Sequence, residues 1–349
     1  MRSEAPPSRD VAAALGWGLD HAVDVDAQAL SAFLAQAFGP SSVGIIHYGS
    51  RAQGRKPRAD SAFDFFVIVD RYGDAYRSLS ATVGTSYSPK VATALAHVLA
   101  PNVIAVSDGA GGAGEPAQPS RQSRAKCCVI SLADFRRACS SRRRDHFVQG
   151  RLFQFVLLAW TRDAASAREI GAAIAEARAA TYTWSQSSLP ETFTVDEFLQ
   201  VALSRSLAGE IRPESGDHAC TLVAAQRDAL CAIYTPLFEH LVAHGALSRT
   251  SAPQGTQTST IYRQQGSVSA VDRLRVQWYF RFSKVRATVR LLKHVILYEG
   301  WLEYIVRKIE RSGGTKMVLT SCEQRWPLIC LWPRIFWYLR NRPQRKKAT

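Results

Sequence analysis

Apolar positions fall into short runs and helical periods in the first half of the chain, and into mostly helical periods after residue 145. Over Ala27–Phe38 they recur at the spacing of an amphipathic helix. Val43–Tyr48 is a short apolar run that stops at Gly49-Ser50, and Ser61–Asp70 (SAFDFFVIVD) is rich in the aromatic and β-branched residues that suit a strand. Pro89–Leu99 predicts a helix, Asn102–Val106 a strand, and DGAGGAGEPAQPSRQSR (108–124) a loop. Ala125–Ser131 predicts a further strand, with a helix opening at Ser131. Helices are predicted over 145–160 and 163–181, from a capping box at Thr194-x-x-Glu197, and over 218–244. No internal repeat is visible.

These elements predict an α/β fold. A mixed sheet with flanking helices takes up 27–160, behind an N-terminal segment, 1–26. A mainly helical second domain follows over 161–247, with a winged-helix-like arrangement as one option. SRTSAPQGTQTST (248–260) reads as a linker to a basic, Trp-rich helical extension, 261–349.

Composition sharpens that division. With 349 residues, 46% apolar and 21% charged, the chain is long enough for two domains and is neither disordered nor coiled coil. The net charge is +15, and 18 Lys and Arg against 4 Glu from Arg273 to Thr349 supply +14 of it. Five of the eight tryptophans (278, 301, 326, 332, 337) lie in the same stretch. Such an excess points to polyanionic partners. The seven cysteines show no C-x-x-C and no zinc spacing, and read as reduced thiols of a cytosolic protein. The first 30 residues lack a sustained apolar core and carry acids, so no secretory or transit signal is expected. Nor is any apolar run long enough to span a bilayer.

Three patterns suggest chemistry. Gly109-x-Gly111-x-x-Gly114 has the letters of a dinucleotide fingerprint, but two prolines follow where a helix should begin, so it reads as a loop. His240 and His244 have the i, i+4 spacing of a metal pair but no Glu between them and no evident third ligand, so a solvated helical face is preferred. The third pattern is His47-Tyr48-Gly49-Ser50-Arg51, a basic turn (Gly54, Arg55, Lys56, Arg58), then Phe63-Asp64-Phe65 and on to Asp70. A Gly-Ser turn offers backbone N–H groups and a hydroxyl to a phosphate. An Asp between two Phe is costly to bury ionised, and a Mg²⁺ carrying a nucleoside triphosphate would compensate it. A turn beside a capped strand end is the plainer alternative.

The turn with its strand-borne Asp resembles the polymerase-β-like nucleotidyltransferases. The chain more closely resembles the mitochondrial-type phosphatidate cytidylyltransferases (CDP-diacylglycerol synthases of the translocator assembly and maintenance family). The matching stretches run in order: Tyr48-Gly49-Ser50, Asp64-Phe65, Val69-Asp70, Leu99-x-Pro101-Asn102, Lys126 with Val129-Ile130-Ser131, Gly150-Arg151-Leu152, Leu189-Pro190-Glu191-x-Phe193 and Gly209-Glu210-Ile211-Arg212. They cover roughly 40–240. The basic stretches Ser283-Lys284-Val285-Arg286 and Arg325-Trp326-Pro327-Leu328 are similar to the extension of bacterial members.

The resemblance implies that CTP and phosphatidate give CDP-diacylglycerol and pyrophosphate, with Mg²⁺, in phosphatidylglycerol and cardiolipin synthesis. It assigns Asp64 and Lys126 to catalysis, Asp64 to the metal, Tyr48, Gly49 and Ser50 to the nucleotide, and Arg151 and Arg212 to the substrate phosphate. Phe66 stands where many nucleotidyltransferases carry a second carboxylate, and Asp70 lies about 20 Å along the strand from Asp64. Asp134 and Glu210 stay open as the second ligand, although Ser131-x-x-Asp134 also reads as a capping box. Trp326, Trp332, Trp337 and Arg334 have the composition of an interfacial helix. That places the protein peripherally on the cytoplasmic side of a bacterial inner membrane, against anionic lipid. A different acceptor for the nucleotidyl group, or a non-catalytic basic module binding RNA or lipid, are the alternatives.

Overall fold

The computed structural model describes residues 9–54, 62–107, 124–209, 216–250, 260–297 and 319–325, with the single positions 306, 330 and 333. The chain divides into two compact units, Met1–Leu297 and Tyr298–Thr349.

The first unit is a mixed α/β structure. Its main sheet has five strands, β1 (Ser42–Tyr48), β2 (Phe63–Val69), β3 (Asn102–Ser107), β4 (Arg124–Ser131) and β5 (Leu157–Thr161), in the order β3-β4-β2-β1-β5. β2 and β4 are parallel; the other neighbours are antiparallel. The central strands are apolar at nearly every position because both faces are covered. On one face Ile45, Phe65, Val67 and Val129 pack under α2 (Val25–Phe38), α3 (Tyr72–Val83) and α4 (Pro89–Val98). On the other, Ile46, Tyr48, Phe66, Ile68 and Cys128 pack against α5 (Leu132–Cys139) and α7 (Ala164–Ser185). Between these lie the short α6 (Gln149–Leu152) and, near the N-terminus, α1 (Arg9–Leu15).

A second core gathers α8 (Val195–Ala208), α9 (Gly216–Ala225) and α10 (Arg227–Ala243) around Trp184, Phe198, Tyr234 and Phe238. Beside it stands a small antiparallel sheet ordered β6-β8-β7, with β6 at Thr192–Phe193, β7 at Leu247–Thr250 and β8 at Ile261–Gln264. The stretch expected to be a linker, 248–260, therefore starts inside one strand and ends just before the strand it pairs with. The 28-residue α11 (Ala270–Leu297) closes the unit.

Two predicted helices change. The helix predicted over 145–160 is four residues long, because Leu157–Thr161 instead pairs as an edge strand with β1. The helix predicted over 218–244 breaks at Gln226, between α9 and α10. In the second unit α12 (Ser321–Arg325) opens on a capping box, where Thr320 Oγ1 accepts from Glu323 N–H and Glu323 accepts from Thr320 N–H. The reading of all seven cysteines as thiols is corrected here: Cys322 and Cys330 form a disulfide, their Cα atoms 6.3 Å apart and within reach of such a bond. Cys127, Cys128, Cys139, Cys220 and Cys231 are free.

Candidate functional site

β1 runs into Gly49, whose φ of +83° suits glycine and strains any other residue. The chain then folds back on itself, Gln53 N–H donating to the Gly49 carbonyl at 3.1 Å and Gly54 N–H to that of Arg51 at 3.2 Å. Across the sheet Tyr48 pairs with Asp64, and Asp64 pairs with Lys126 on the parallel neighbour. Paired residues point to one face of a sheet, so acid, phenol and ammonium stem share the face that α7 covers further along. The Gly49 backbone and the Asp64 carboxylate are in close approach. A Cβ built on Gly49 would lie 2.8 Å from Asp64 Oδ2.

Below the acid the wall is neutral. Tyr48 Oη lies 3.2 Å from Cys128 Sγ. Burial raises the Tyr48 phenol well above its usual range, with Cys128 and Asp64 adding to it, and burial likewise raises the Cys128 thiol. Arg151 is within electrostatic range of both groups and opposes both shifts. It is half-buried on α6, its guanidinium 3.8 Å over the Phe147 ring and donating to the Phe147 carbonyl at 2.7 Å. Arg51 covers the ring of Phe63, 4.1 Å from its centre. Gly49, Ser50, Asp64 and Lys126 are all partly accessible. The end of the sheet thus presents one acid, the three cations Arg51, Lys126 and Arg151, and a Gly-Ser turn.

Two devices fix this corner, and neither announces itself in sequence. Gln53 Nε2 and Gln226 Nε2 both donate to Gln154 Oε1, at 3.1 and 3.2 Å, while Gln226 Oε1 accepts from Phe155 N–H at 3.0 Å. This relay ties the Gly-Ser turn to the break between α9 and α10. The second device is Arg178, fully buried on α7. It donates to the carbonyls of Leu15, Trp17, Leu152 and Gln154 at 2.6–3.2 Å. Leu15 and Leu152 end α1 and α6, so the guanidinium sits where helix dipoles are negative. The only sequence signal was an Arg inside an otherwise apolar helical period.

The remaining candidates sort plainly. Ser131 caps α5, its Oγ accepting from Asp134 N–H at 3.2 Å, and the Asp134 carboxylate accepts from Ser131 Oγ at 2.9 Å, Tyr72 at 2.7 Å and Arg137 at 3.1 Å. Ser131 pairs with Val69, so Asp134 stands at the opposite end of β2 from Asp64, about 16 Å away along the strand. The capping reading holds in its N-cap half, Asp134 taking the Ser131 hydroxyl rather than closing the reciprocal box, and Asp134 does not join Asp64. Asp70 pairs with Arg162 at that same far end. His244 caps α10, its Nδ1 at 2.8 Å from the His240 carbonyl oxygen. Glu210, Arg212, Trp326, Trp332, Arg334, Trp337 and the Gly109–Gly114 loop lie outside the described residues.

Among the described residues no three His, Cys, Asp or Glu side chains gather as a metal cluster. A single carboxylate suits a Mg²⁺ that arrives already coordinated by phosphates, since that ion is commonly held by one or two carboxylates plus the substrate. Also among the described residues, no helix is long and apolar enough to cross a membrane. No family model matches the chain, and no curated protein matches it.

Proposed function

We propose that the chain is a nucleotidyltransferase of polymerase-β-like type, joining a phosphate monoester to the α-phosphorus of CTP. One observation carries the reading: the Asp64 carboxylate lies against the positive-φ Gly49 with Lys126 beside it on the next strand. A glycine there lets a triphosphate approach the backbone, and Ser50 adds a hydroxyl. Asp64 would hold Mg²⁺, which supplies charge neutralisation when bound with the nucleotide. Lys126 neutralises phosphate charge directly, and Arg151 is suited to the incoming monoester because its fork matches phosphate oxygens. In the reaction an acceptor oxygen forms a bond to the α-phosphorus, the bond to the β-phosphate oxygen breaks, and pyrophosphate leaves with the electron pair.

Cytidine and phosphatidate as partners rest on the ordered motifs that resemble the phosphatidate cytidylyltransferases. With them comes the peripheral position on the cytoplasmic side of a bacterial inner membrane. Purified chain with CTP, Mg²⁺ and phosphatidate vesicles is expected to release pyrophosphate. Asp64→Asn should lower the rate at least about a hundredfold, the scale of losing a principal charge stabiliser, while Asp134→Asn retains it. Undiminished release from the Asp64 variant removes that residue from the chemistry. Salt-sensitive RNA binding without CTP binding would favour the basic-module alternative.

A further inference from the structure

α11 is built inside out. Its sheet-facing side carries Ser283, Arg290 and Lys293, all buried. A solvent-facing side carries Leu274, Trp278, Phe282, Val285, Val289 and Leu292, between 38% and 61% exposed. Their spacing of three and four residues makes one stripe about 27 Å long at 1.5 Å per residue. Among the described residues ten large apolar side chains are exposed, and seven of them, these six and Val271, lie on this helix, which makes the stripe a patch rather than scattered exposure.

Rotation cannot relieve it, because polar contacts fix the helix about its axis. Ser283 Oγ accepts from His146 N–H at 2.9 Å, and Tyr279 Oη lies 3.2 Å from His146 Nδ1. Arg286 and Arg290 both bind Asp145, at 2.8 and 3.1 Å, and Lys293 donates to the carbonyls of Leu95 and Leu99. Burial pushes the Asp145 carboxyl up, but Arg290 and the hydrogen bond from Arg286 outweigh it and hold the group below its usual range.

Flanking the stripe are the exposed cations Arg273, Arg275, Arg281 and Lys284, with Asp272 the single acid of the helix. A second copy laid on the stripe, in either direction, would set like charges together. An anionic surface complements both the stripe and its rim.

We infer that the outward face of α11 is a docking surface for an anionic lipid bilayer. It extends the peripheral-membrane part of the reading above and stands apart from its chemistry, so the test uses neither CTP nor phosphatidate. The full chain is floated with vesicles of phosphatidylglycerol and phosphatidylcholine, and with phosphatidylcholine alone. Wild type should bind the anionic vesicles only. Trp278→Ser/Phe282→Ser/Val285→Ser should bind at least about tenfold more weakly with an unchanged melting temperature and mass, as should Arg273→Glu/Arg281→Glu/Lys284→Glu. Trp278→Phe, which keeps an aromatic residue in the stripe, should bind like wild type.

Four results overturn the inference. The serine variant binds like wild type, or phosphatidylcholine alone is bound as well as the anionic vesicles. The serine variant melts much lower or changes mass, which means the chain itself or a second copy covers the stripe. Or binding falls only when Trp326, Trp332 and Trp337 are replaced, which assigns docking to the tail.

Discussion

Gly49 and Asp64 share a few ångströms of space, and that closeness sets the sharpest expectation for a single atom. Gly49→Ala puts a methyl 2.8 Å from the Asp64 oxygen and strains a backbone at φ +83°. The variant should lose about 1–2 kcal/mol in urea unfolding, because the entropic gain of Gly→Ala, roughly 0.4–1 kcal/mol at a compatible backbone, is outweighed where φ is positive. Pyrophosphate release should fall far more than that loss of stability explains. Next door, His47 is buried against Phe63 and Phe65 with both ring nitrogens unpartnered. Burial lowers it to about 4; Asp24 opposes the shift and Arg51 adds to it. The unfolded imidazole titrates near 6.5, so as pH falls from 6.5 toward 4 the unfolded state takes up the proton first and stability is lost. At pH 5.5 that loss is on the order of 1 kcal/mol. His47→Phe should remove this part of the acid sensitivity, read as the difference between wild-type and variant unfolding at pH 5.5 and pH 8. The sequence already placed glycine, acid and turn together, because Gly-Ser and an Asp inside an aromatic strand are local signals. The glutamine relay had no such signal, since Gln53, Gln154 and Gln226 are 101 and 72 residues apart at its two bonds.

Elements that declare themselves by periodicity were legible: β1, β2, β4, α2, α4 and the capped starts of α5 and α8 lie close to their expected places. β5 was not. Phe155–Trp160 is apolar without alternation, and periodicity cannot tell a buried strand from a buried helical turn; only the open edge of β1 decides it. α11 was obscured for the opposite reason. Its charge drew it into the basic extension, although its Arg and Lys side chains seat it on the first unit. Arg178 shows how much one long-range contact can hold, gathering carbonyls from the ends of α1 and α6 and from the segment leading into β5. Burial lowers its pKa to about 10, so it remains charged at neutral pH. Arg178→Lys keeps the charge but cannot reach four carbonyls from one ammonium. The change should cost about 3 kcal/mol, the scale of losing charge-assisted hydrogen bonds in a buried site. If urea unfolding shifts by less than about 1 kcal/mol, the four contacts are not what holds these ends together.

For the whole molecule, charge and chemistry make separable demands. Transfer to a lipid acceptor needs the protein at a headgroup plane, which is an attraction between exposed charges and weakens as salt rises. The Debye length shrinks from about 10 Å at 0.1 M to about 3 Å at 1 M. The corner around Asp64 is different: Asp64 and Lys126 hold paired positions on neighbouring strands and, like Arg151, are partly buried, where screening is weaker. Raising KCl from about 0.05 to 0.5 M should therefore reduce turnover of phosphatidate in anionic vesicles by an order of magnitude or more. Turnover of a water-soluble, short-chain phosphatidate should change only a few-fold, with the maximal rate nearly constant. Measuring both acceptors across the same salt series separates arrival at the membrane from catalysis. Equal loss for both would mean that the +15 net charge acts at the corner around Asp64 itself, and that the basic residues from Arg273 onward add little to substrate delivery.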